Sequence, residues 1–195
     1  MNVFVLCTGR SGSQTFMKAC AHITNFSSSH ESRSKILGEE RFNHPENHIE
    51  GDNRLSWVLG QLDEKHGKDA YYVHLIRDKN EVAASFNNRW QVTYSIIKGY
   101  AHSIKMRKIH KLNSHERLQM CIDYYDTVNA NIRLFLKDKP NKKTIHLENM
   151  KEDFQDFWND IQAEGDKEAA LAVLDTVHNA NKKMHPVKKF LKSFT

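Results

Sequence analysis

The chain opens with an apolar strand that runs directly into a turn rich in Gly, Ser and Thr, and the turn leads into a helix, all within residues 3–15. Such a turn presents backbone N–H groups and hydroxyls at a helix N-terminus, where the helix dipole favours an anion. Arg10 adds a full positive charge and a planar set of donors. The segment therefore predicts a site for an anion of phosphate or sulfate size.

The spacing of the glycines argues against a nucleotide-binding P-loop. That motif places four residues between its glycines and follows the second with Lys and Ser or Thr. Here only Arg10 and Ser11 separate Gly9 from Gly12, and no Lys follows Gly12. By itself such a turn is weak evidence, because an ordinary strand-to-helix connection can have the same composition.

A second strand and helix supply another set of anion-binding groups. Residues 71–76 form an apolar run typical of a buried strand, and Arg77 follows it directly. Asp78 is a favourable N-cap, and Glu81 three residues later completes a capping box. Ser85 lies about two helical turns after Arg77. If Ser85 faces the same crevice as Arg77, their hydroxyl and guanidinium groups would bind a second anion.

These two segments resemble the motifs of the sulfotransferases that use 3′-phosphoadenosine 5′-phosphosulfate (PAPS). Residues 8–13, Thr-Gly-Arg-Ser-Gly-Ser, are similar to the loop that binds the 5′-phosphosulfate in that family. Residues 74–86 look like its 3′-phosphate motif, in which Arg and Ser stand eight residues apart, as Arg77 and Ser85 do. The remainder of the chain matches the family in kind but carries no specific motif.

The resemblance implies a P-loop NTPase-like sulfotransferase fold, with residues 1–195 as one domain. It implies an enzyme that transfers a sulfuryl group from PAPS to a hydroxyl acceptor, either a small metabolite or a glycan. No metal ion is required, because Arg10 and the helix end can neutralise the charge. The cofactor-binding residues would be Gly9, Arg10, Ser11, Gly12, Ser13, Gln14, Thr15, Arg77 and Ser85.

The sequence departs from the family pattern at two places. Gln14 stands where many members carry a second Thr. The C-terminal residues lack the Gly-rich, Lys-containing loop with which cytosolic members close over the adenosine.

The resemblance also suggests catalytic groups. Lys or Arg at the position of Arg10 neutralises the transferring group and the leaving oxygen in that family. Members with this loop often place a Glu just after the second strand, where Glu31 stands, so Glu31 is the first candidate for the base. A base of this kind needs burial to hold a proton, whereas a Glu31 that pairs with Arg33 or lies on a solvated loop would have no such task. His30 and Asp52 are the alternatives, and Asp52 is also a candidate helix cap.

Apolar periodicity along the chain predicts strands that alternate with helices. We predict strands over 2–7, 25–29, 70–76 and 143–148, and helices over 14–23, 53–66, 79–90, 92–112, 115–137, 151–162 and 166–179. Residues 49–52 are predicted to be only a connection. Such alternation implies an α/β fold, a parallel sheet flanked by helices on both faces, with ligands beyond the carboxyl ends of the strands. Arg10, Glu31 and Arg77 all follow predicted strands.

Length and composition fit one compact domain. The chain has 195 residues and a formal net charge of +5. No apolar run approaches the ~18 residues of a membrane span, and no basic region precedes the first apolar stretch, as it would in a signal peptide. We therefore expect a cytoplasmic protein.

The sequence does not predict a metal site. Its three cysteines, at positions 7, 20 and 121, are too widely spaced for a zinc site or a disulfide framework. His44 and His48 stand four residues apart, but Pro45 between them argues against a shared helix face.

Basic residues cluster in 98–117 and in the tail after Asp175, where Lys182, Lys183, Lys188, Lys189 and Lys192 stand. Both clusters can be explained as solvated surfaces. Equally, the first could contact an acidic acceptor and the tail could contact the 3′-phosphate. The positive charge also suits nucleic acid, although no nucleic-acid motif is present and such a partner is not expected. Two alternatives therefore remain: a nucleotide kinase-like P-loop protein, and a non-enzymatic basic protein that binds anions or nucleic acid.

Overall fold

The structure, a computed structural model, describes the backbone of residues 1–183 and the side chains of residues 1–175. Five strands form one sheet in the order β2-β3-β1-β4-β5, and every neighbouring pair is parallel. The strands are β1 (Val3–Leu6), β2 (Ser27–His30), β3 (His48–Gly51), β4 (Tyr71–Ile76) and β5 (Lys142–His146). The parallel α/β sheet is therefore confirmed.

Seven helices accompany the sheet in the described part of the chain. They are α1 (Ser13–Cys20), α2 (Leu59–His66), α3 (Lys79–Asn88), α4 (Ile96–Gly99), α5 (Ser114–Leu136), α6 (Met150–Asp160) and α7 (Lys167–Lys183). Among these described helices, none has the length and apolar character needed to cross a membrane.

Strand β1 lies at the centre of the sheet and is buried on both faces. Val3 and Val5 belong to a core shared with α1, α6 and α7, whereas Phe4 and Leu6 belong to a core shared with α2, α3, α4 and α5. All four side chains are fully buried. Burial on both faces explains why β1 reads as a continuous apolar run rather than as an alternating one.

Strand β3 corrects the prediction that residues 49–52 are only a connection. It pairs with β2 on one side and with β1 on the other. Its residues His48 and Glu50 point to the same face, because alternate side chains of a strand do so, and both are buried. They contact each other, so two polar side chains can be buried in this strand. The apolar pattern used to predict strands is therefore missing here.

The predicted helix over residues 53–66 is also wrong in its first half. A 3₁₀ turn occupies Asn53–Trp57, and α2 begins only at Leu59. Asp52 starts the turn by accepting a hydrogen bond from the backbone N–H of Arg54 at 2.8 Å. The apolar spacing that predicted one helix arises from two short helical pieces.

The predicted helix over residues 92–112 is wrong over most of its length. Only the four residues of α4 are α-helical there, followed by one π-helical turn and one 3₁₀ turn. Tyr94 and Met106 have positive φ angles of 58° and 51°, a left-handed conformation that a right-handed helix cannot contain. This segment is therefore largely irregular, whereas α5 begins close to the predicted position with a capping box between Asn113 and Glu116.

Helix α5 fixes the ends of the two strands that precede the predicted anion-binding segments. The hydroxyl of Tyr124 donates to the carbonyl of Thr8 at 2.8 Å, after β1. The hydroxyl of Tyr125 donates to the carbonyl of Arg77 at 2.8 Å, after β4. Adjacent residues of one helix thus hold both chain segments at the same edge of the sheet.

Candidate functional site

The turn between β1 and α1 has a left-handed backbone at several positions. The φ angles of Gly9, Arg10 and Gly12 are 78°, 60° and 91°. A Cβ on Gly9 would lie 2.5 Å from the Asn53 side chain, and a Cβ on Gly12 would lie 2.6 Å from that of Leu147. Both glycines are required by this conformation, and the strained backbone of Arg10 is of the kind that clusters at binding sites.

The first turn of α1 leaves polar groups available to a ligand. The backbone N–H groups of Thr15 and Phe16 donate to the Gly12 carbonyl at 3.0 Å, so the hydroxyl of Thr15 is the part of that residue that remains for a ligand. The Ser11 hydroxyl is buried and, apart from a contact with the Cys7 thiol, has no hydrogen-bond partner among the described residues. Leaving a buried hydroxyl unpaired costs free energy, and a bound anion would supply an acceptor.

The two predicted anion-binding segments meet in the structure. The Nε atom of Arg10 donates to Ser85 Oγ at 3.0 Å. The guanidinium of Arg77 donates to the backbone carbonyl of Arg10 at 3.1 Å. Ser85 therefore lies against the turn after β1.

The predicted capping box at the start of α3 is only half formed. The Asp78 side chain accepts a hydrogen bond from the Glu81 backbone N–H at 3.0 Å. The Glu81 carboxylate pairs instead with Arg77 at 3.3 Å. The backbone N–H of Asp78 donates to Glu148 at 2.9 Å, so a residue after β5 completes the cap.

A third arginine, Arg89, acts electrostatically on Arg10 and was missed. The pKa of Arg10 is lowered, first by burial and then by the positive charges of Arg89 and Arg77. Arg89 follows Ser85 by four residues and stands at the C-cap of α3. That spacing is the signal that could have identified Arg89. An anion at this place would relieve the repulsion among three cations.

The candidate bases Glu31 and His30 lie at the end of β2. Glu31 forms an ion pair with Arg54 at 2.8 Å and not with Arg33, and its side chain is 35% exposed. In this structure Glu31 is therefore only partly buried and is engaged by Arg54. His30 Nε2 lies 3.1 Å from the hydroxyl of Ser13 at the start of α1. Of the two, the imidazole contacts the anion-binding turn directly.

Asp52 serves as a buried cap rather than as a reactive group. Its Oδ1 accepts from the Arg54 backbone, as described above, and its Oδ2 pairs with Arg41 at 2.8 Å. Burial raises the pKa of this carboxyl, while hydrogen bonding to Arg54 and the charge of Arg41 oppose that rise. Both oxygens are occupied, which supports the cap and argues against Asp52 as the base.

The basic region over residues 98–117 is partly neutralised by α5. Lys105 pairs with Asp123 at 2.7 Å, and Arg107 pairs with Glu116 at 2.8 Å. These ion pairs weaken the case for contact with an acidic acceptor there. The side chains of the basic tail, Lys182, Lys183, Lys188, Lys189 and Lys192, lie outside the part of the chain that the structure describes.

Comparison with known proteins yields a structural likeness. No protein-family model matches the chain, and no curated protein sequence matches it. Among solved structures, the chain is similar to mouse sulfotransferase SULT7A1, crystallised in complex with PAP (3′-phosphoadenosine 5′-phosphate). The TM-score is 0.57 and the sequence identity is 13%. The likeness covers 90% of this chain and 64% of that chain, so this chain spans less than two thirds of the neighbour's length. The chain therefore has a sulfotransferase-like fold.

Substituting Gly12 tests whether the turn needs its left-handed backbone. We expect Gly12→Ala to lower the free energy of unfolding by about 2 kcal/mol or more, because the new Cβ is both strained and overpacked against Leu147. Gly99→Ala is the control, since Gly99 has a helical φ of −58° and open space around it. Urea denaturation measures both variants, and equal stabilities would contradict the prediction.

Proposed function

We propose that the protein is a sulfotransferase that uses PAPS and passes the sulfuryl group to a hydroxyl of a small metabolite or a glycan, with residues 1–195 acting as one domain. The observation that carries the proposal is the contact of Arg10 with both Ser85 and Arg77. A nucleotide with phosphates at both its 5′ and 3′ positions has two anionic groups, and this site offers donors from two chain segments. The PAP-bound neighbour of the same fold supports the proposal.

The residues of the site fit such a nucleotide. The 5′-phosphosulfate would be held by the turn after β1 and the 3′-phosphate by the arginine and hydroxyl after β4. The unpaired Ser11 hydroxyl and the crowded arginines are both groups that an anion would satisfy. The binding residues are Gly9, Arg10, Ser11, Gly12, Ser13 and Gln14 in the turn, Thr15 through its side chain, and Arg77 and Ser85 beyond β4.

Arg10 would provide the main electrostatic catalysis. When bound, PAPS supplies the sulfuryl group, and the enzyme has little covalent chemistry of its own to perform. Positioning and charge stabilisation dominate reactions of this type, as they do in phosphoryl transfer. The hydrogen bond to Ser85 orients the Arg10 guanidinium before any ligand binds.

Two residues are candidates for the base that removes the proton of the acceptor hydroxyl. Glu31 is the proposed base, because it follows β2 at the edge that carries the anion-binding turn. Its ion pair with Arg54 would have to open before it could take a proton. His30 is the alternative, and its contact with Ser13 places it against the turn without such a constraint.

Nucleotide binding tests the assignment of the 3′-phosphate. We expect PAP to raise the melting temperature of the wild type more than AMP does, because only PAP has a phosphate for Arg77 and Ser85. At one hundred times its Kd a ligand stabilises by about 2.7 kcal/mol. In Arg77→Ala the shift with PAP should fall to that with AMP, whereas the control Arg107→Ala should behave as the wild type.

Two results would contradict this assignment. The first is an equal shift with PAP and AMP in the wild type. The second is a larger shift with ATP and Mg²⁺ than with PAP, which would favour the kinase-like alternative.

Matched substitutions identify the base. Glu31→Gln and His30→Gln both remove a proton acceptor of suitable strength while keeping polar side chains. We expect Glu31→Gln to lower turnover of labelled PAPS with phenolic and sugar acceptors by roughly 10²–10⁴, while leaving the PAP-induced thermal shift intact. If only His30→Gln shows that loss, the base is His30. If both variants turn over normally, neither residue accepts the proton.

A further inference from the structure

A buried cluster of two histidines and a glutamate lies on β3 and the segment before it. His48 and Glu50 are alternate residues of the strand and share a face, and His44 packs beside His48, with ring centroids 5.1 Å apart. The three side chains are only 1%, 6% and 2% exposed for His44, His48 and Glu50. One nitrogen or oxygen atom from each lies within 4.8 Å of the others. None of these residues belongs to the proposed nucleotide site.

Two of the ligand–ligand distances in the cluster approach those of a tetrahedral metal site. Zinc binds imidazole nitrogen and carboxylate oxygen at about 2.0–2.1 Å, so two neighbouring ligand atoms of a tetrahedron stand ~3.3 Å apart. His48 Nε2 is 3.3 Å from Glu50 Oε2. His44 Nδ1 is 3.8 Å from the same oxygen, which requires only a small movement of the His44 ring.

His44 faces Glu50 without forming a hydrogen bond to it. Its Nδ1 atom is too far from Glu50 for a hydrogen bond, and its Nε2 atom is buried without a partner in the part of the chain that the structure describes. A cation bound between His44 and Glu50 would be coordinated by Nδ1, the His44 nitrogen that faces the carboxylate.

Two serines orient the remaining ligands. Ser27 Oγ lies 2.8 Å from Nδ1 of His48, which leaves Nε2 of that ring for the cluster. Ser32 donates its backbone N–H to Glu50 at 2.8 Å and its hydroxyl to the other carboxylate oxygen. Outer hydrogen bonds of this kind fix the tautomer of a ligating histidine and the orientation of a ligating carboxylate.

We infer that His44, His48 and Glu50 bind a divalent transition-metal ion of the zinc type. Two imidazoles and one carboxylate suit zinc better than the all-oxygen sites that Mg²⁺ and Ca²⁺ prefer. Water takes the fourth position. The ion holds the segment before β3 against the sheet, and through Glu50 and Ser32 it steadies the turn that follows β2. Its role is structural, and the anion-binding turn needs no metal for its own chemistry.

Metal binding to the full chain, without a histidine tag and after treatment with a chelator, tests the inference. We expect Co²⁺, added as a spectroscopic probe, to bind with one equivalent and to develop the visible absorption of a four-coordinate ion. Zn²⁺ should displace it. Zn²⁺ at one hundred times its Kd should also raise the melting temperature by roughly 5 °C or more.

The most informative variant is His44→Phe. It replaces an unpaired buried ring by an apolar ring of similar shape, so the metal-free protein should be as stable as the wild type or more stable. Co²⁺ affinity should fall at least tenfold. His102→Ala, which removes an exposed histidine, is the control and should bind Co²⁺ as the wild type does.

A second variant guards against misfolding. Glu50→Gln keeps the shape of the side chain and one acceptor oxygen for Ser32, and it should likewise lose Co²⁺. Two results would overturn the inference. One is a wild type that shows neither Co²⁺ absorption nor stabilisation by Zn²⁺, and the other is Co²⁺ affinity in His44→Phe equal to that of the wild type.

Discussion

The contact of Arg10 with Ser85 and of Arg77 with the Arg10 backbone is the constraint around which the candidate site is organised. Burial and the two neighbouring cations lower the pKa of Arg10, so the free protein holds a charge arrangement that favours an anion. The ion pair between Arg77 and Glu81 offsets part of this charge. Hydrogen bonds of Arg10 to Ser85 and of Arg77 to the Arg10 carbonyl hold both guanidinium groups in place before a ligand arrives.

The scaffold that holds these groups is stiff because its contacts come from several elements. Tyr124 and Tyr125 on α5 bind the carbonyls that follow β1 and β4, and Ser56 donates to the carbonyl of Cys7 at 3.2 Å. The glycines of the turn have no room for a side chain. An arginine so placed is preorganised, and preorganised charge is the form in which electrostatics contributes most to catalysis.

Much of the sheet could be predicted from the sequence, because β1 and β4 are buried on both faces and read as apolar runs. Strand β3 could not, because His48 and Glu50 are polar and are buried only by virtue of contacting each other and two serines. The same fact concealed the proposed metal site. Pro45 does exclude a helix there, but ligands can also converge from a strand and the segment before it.

The sequence indicated which segments carry the candidate anion-binding residues, because those residues are close in sequence within each segment. The structure brings Arg77 and Ser85 into contact with Arg10. Pairings between distant segments were not predictable, since nothing local in the sequence joins Glu31 to Arg54 or Asp52 to Arg41. Those ion pairs decide which carboxylates are available to accept a proton. The choice of base therefore could not be made from the sequence.

The most direct measurement is a calorimetric comparison of 3′-phosphoadenosine 5′-phosphate with its 2′-phosphate isomer. The two nucleotides carry the same charge and the same base, so a merely basic surface binds them equally. If Arg77 and Ser85 form a site for the 3′-phosphate, the 3′ isomer should bind at least tenfold more tightly, a difference of about 1.4 kcal/mol. Equal affinities would contradict the account.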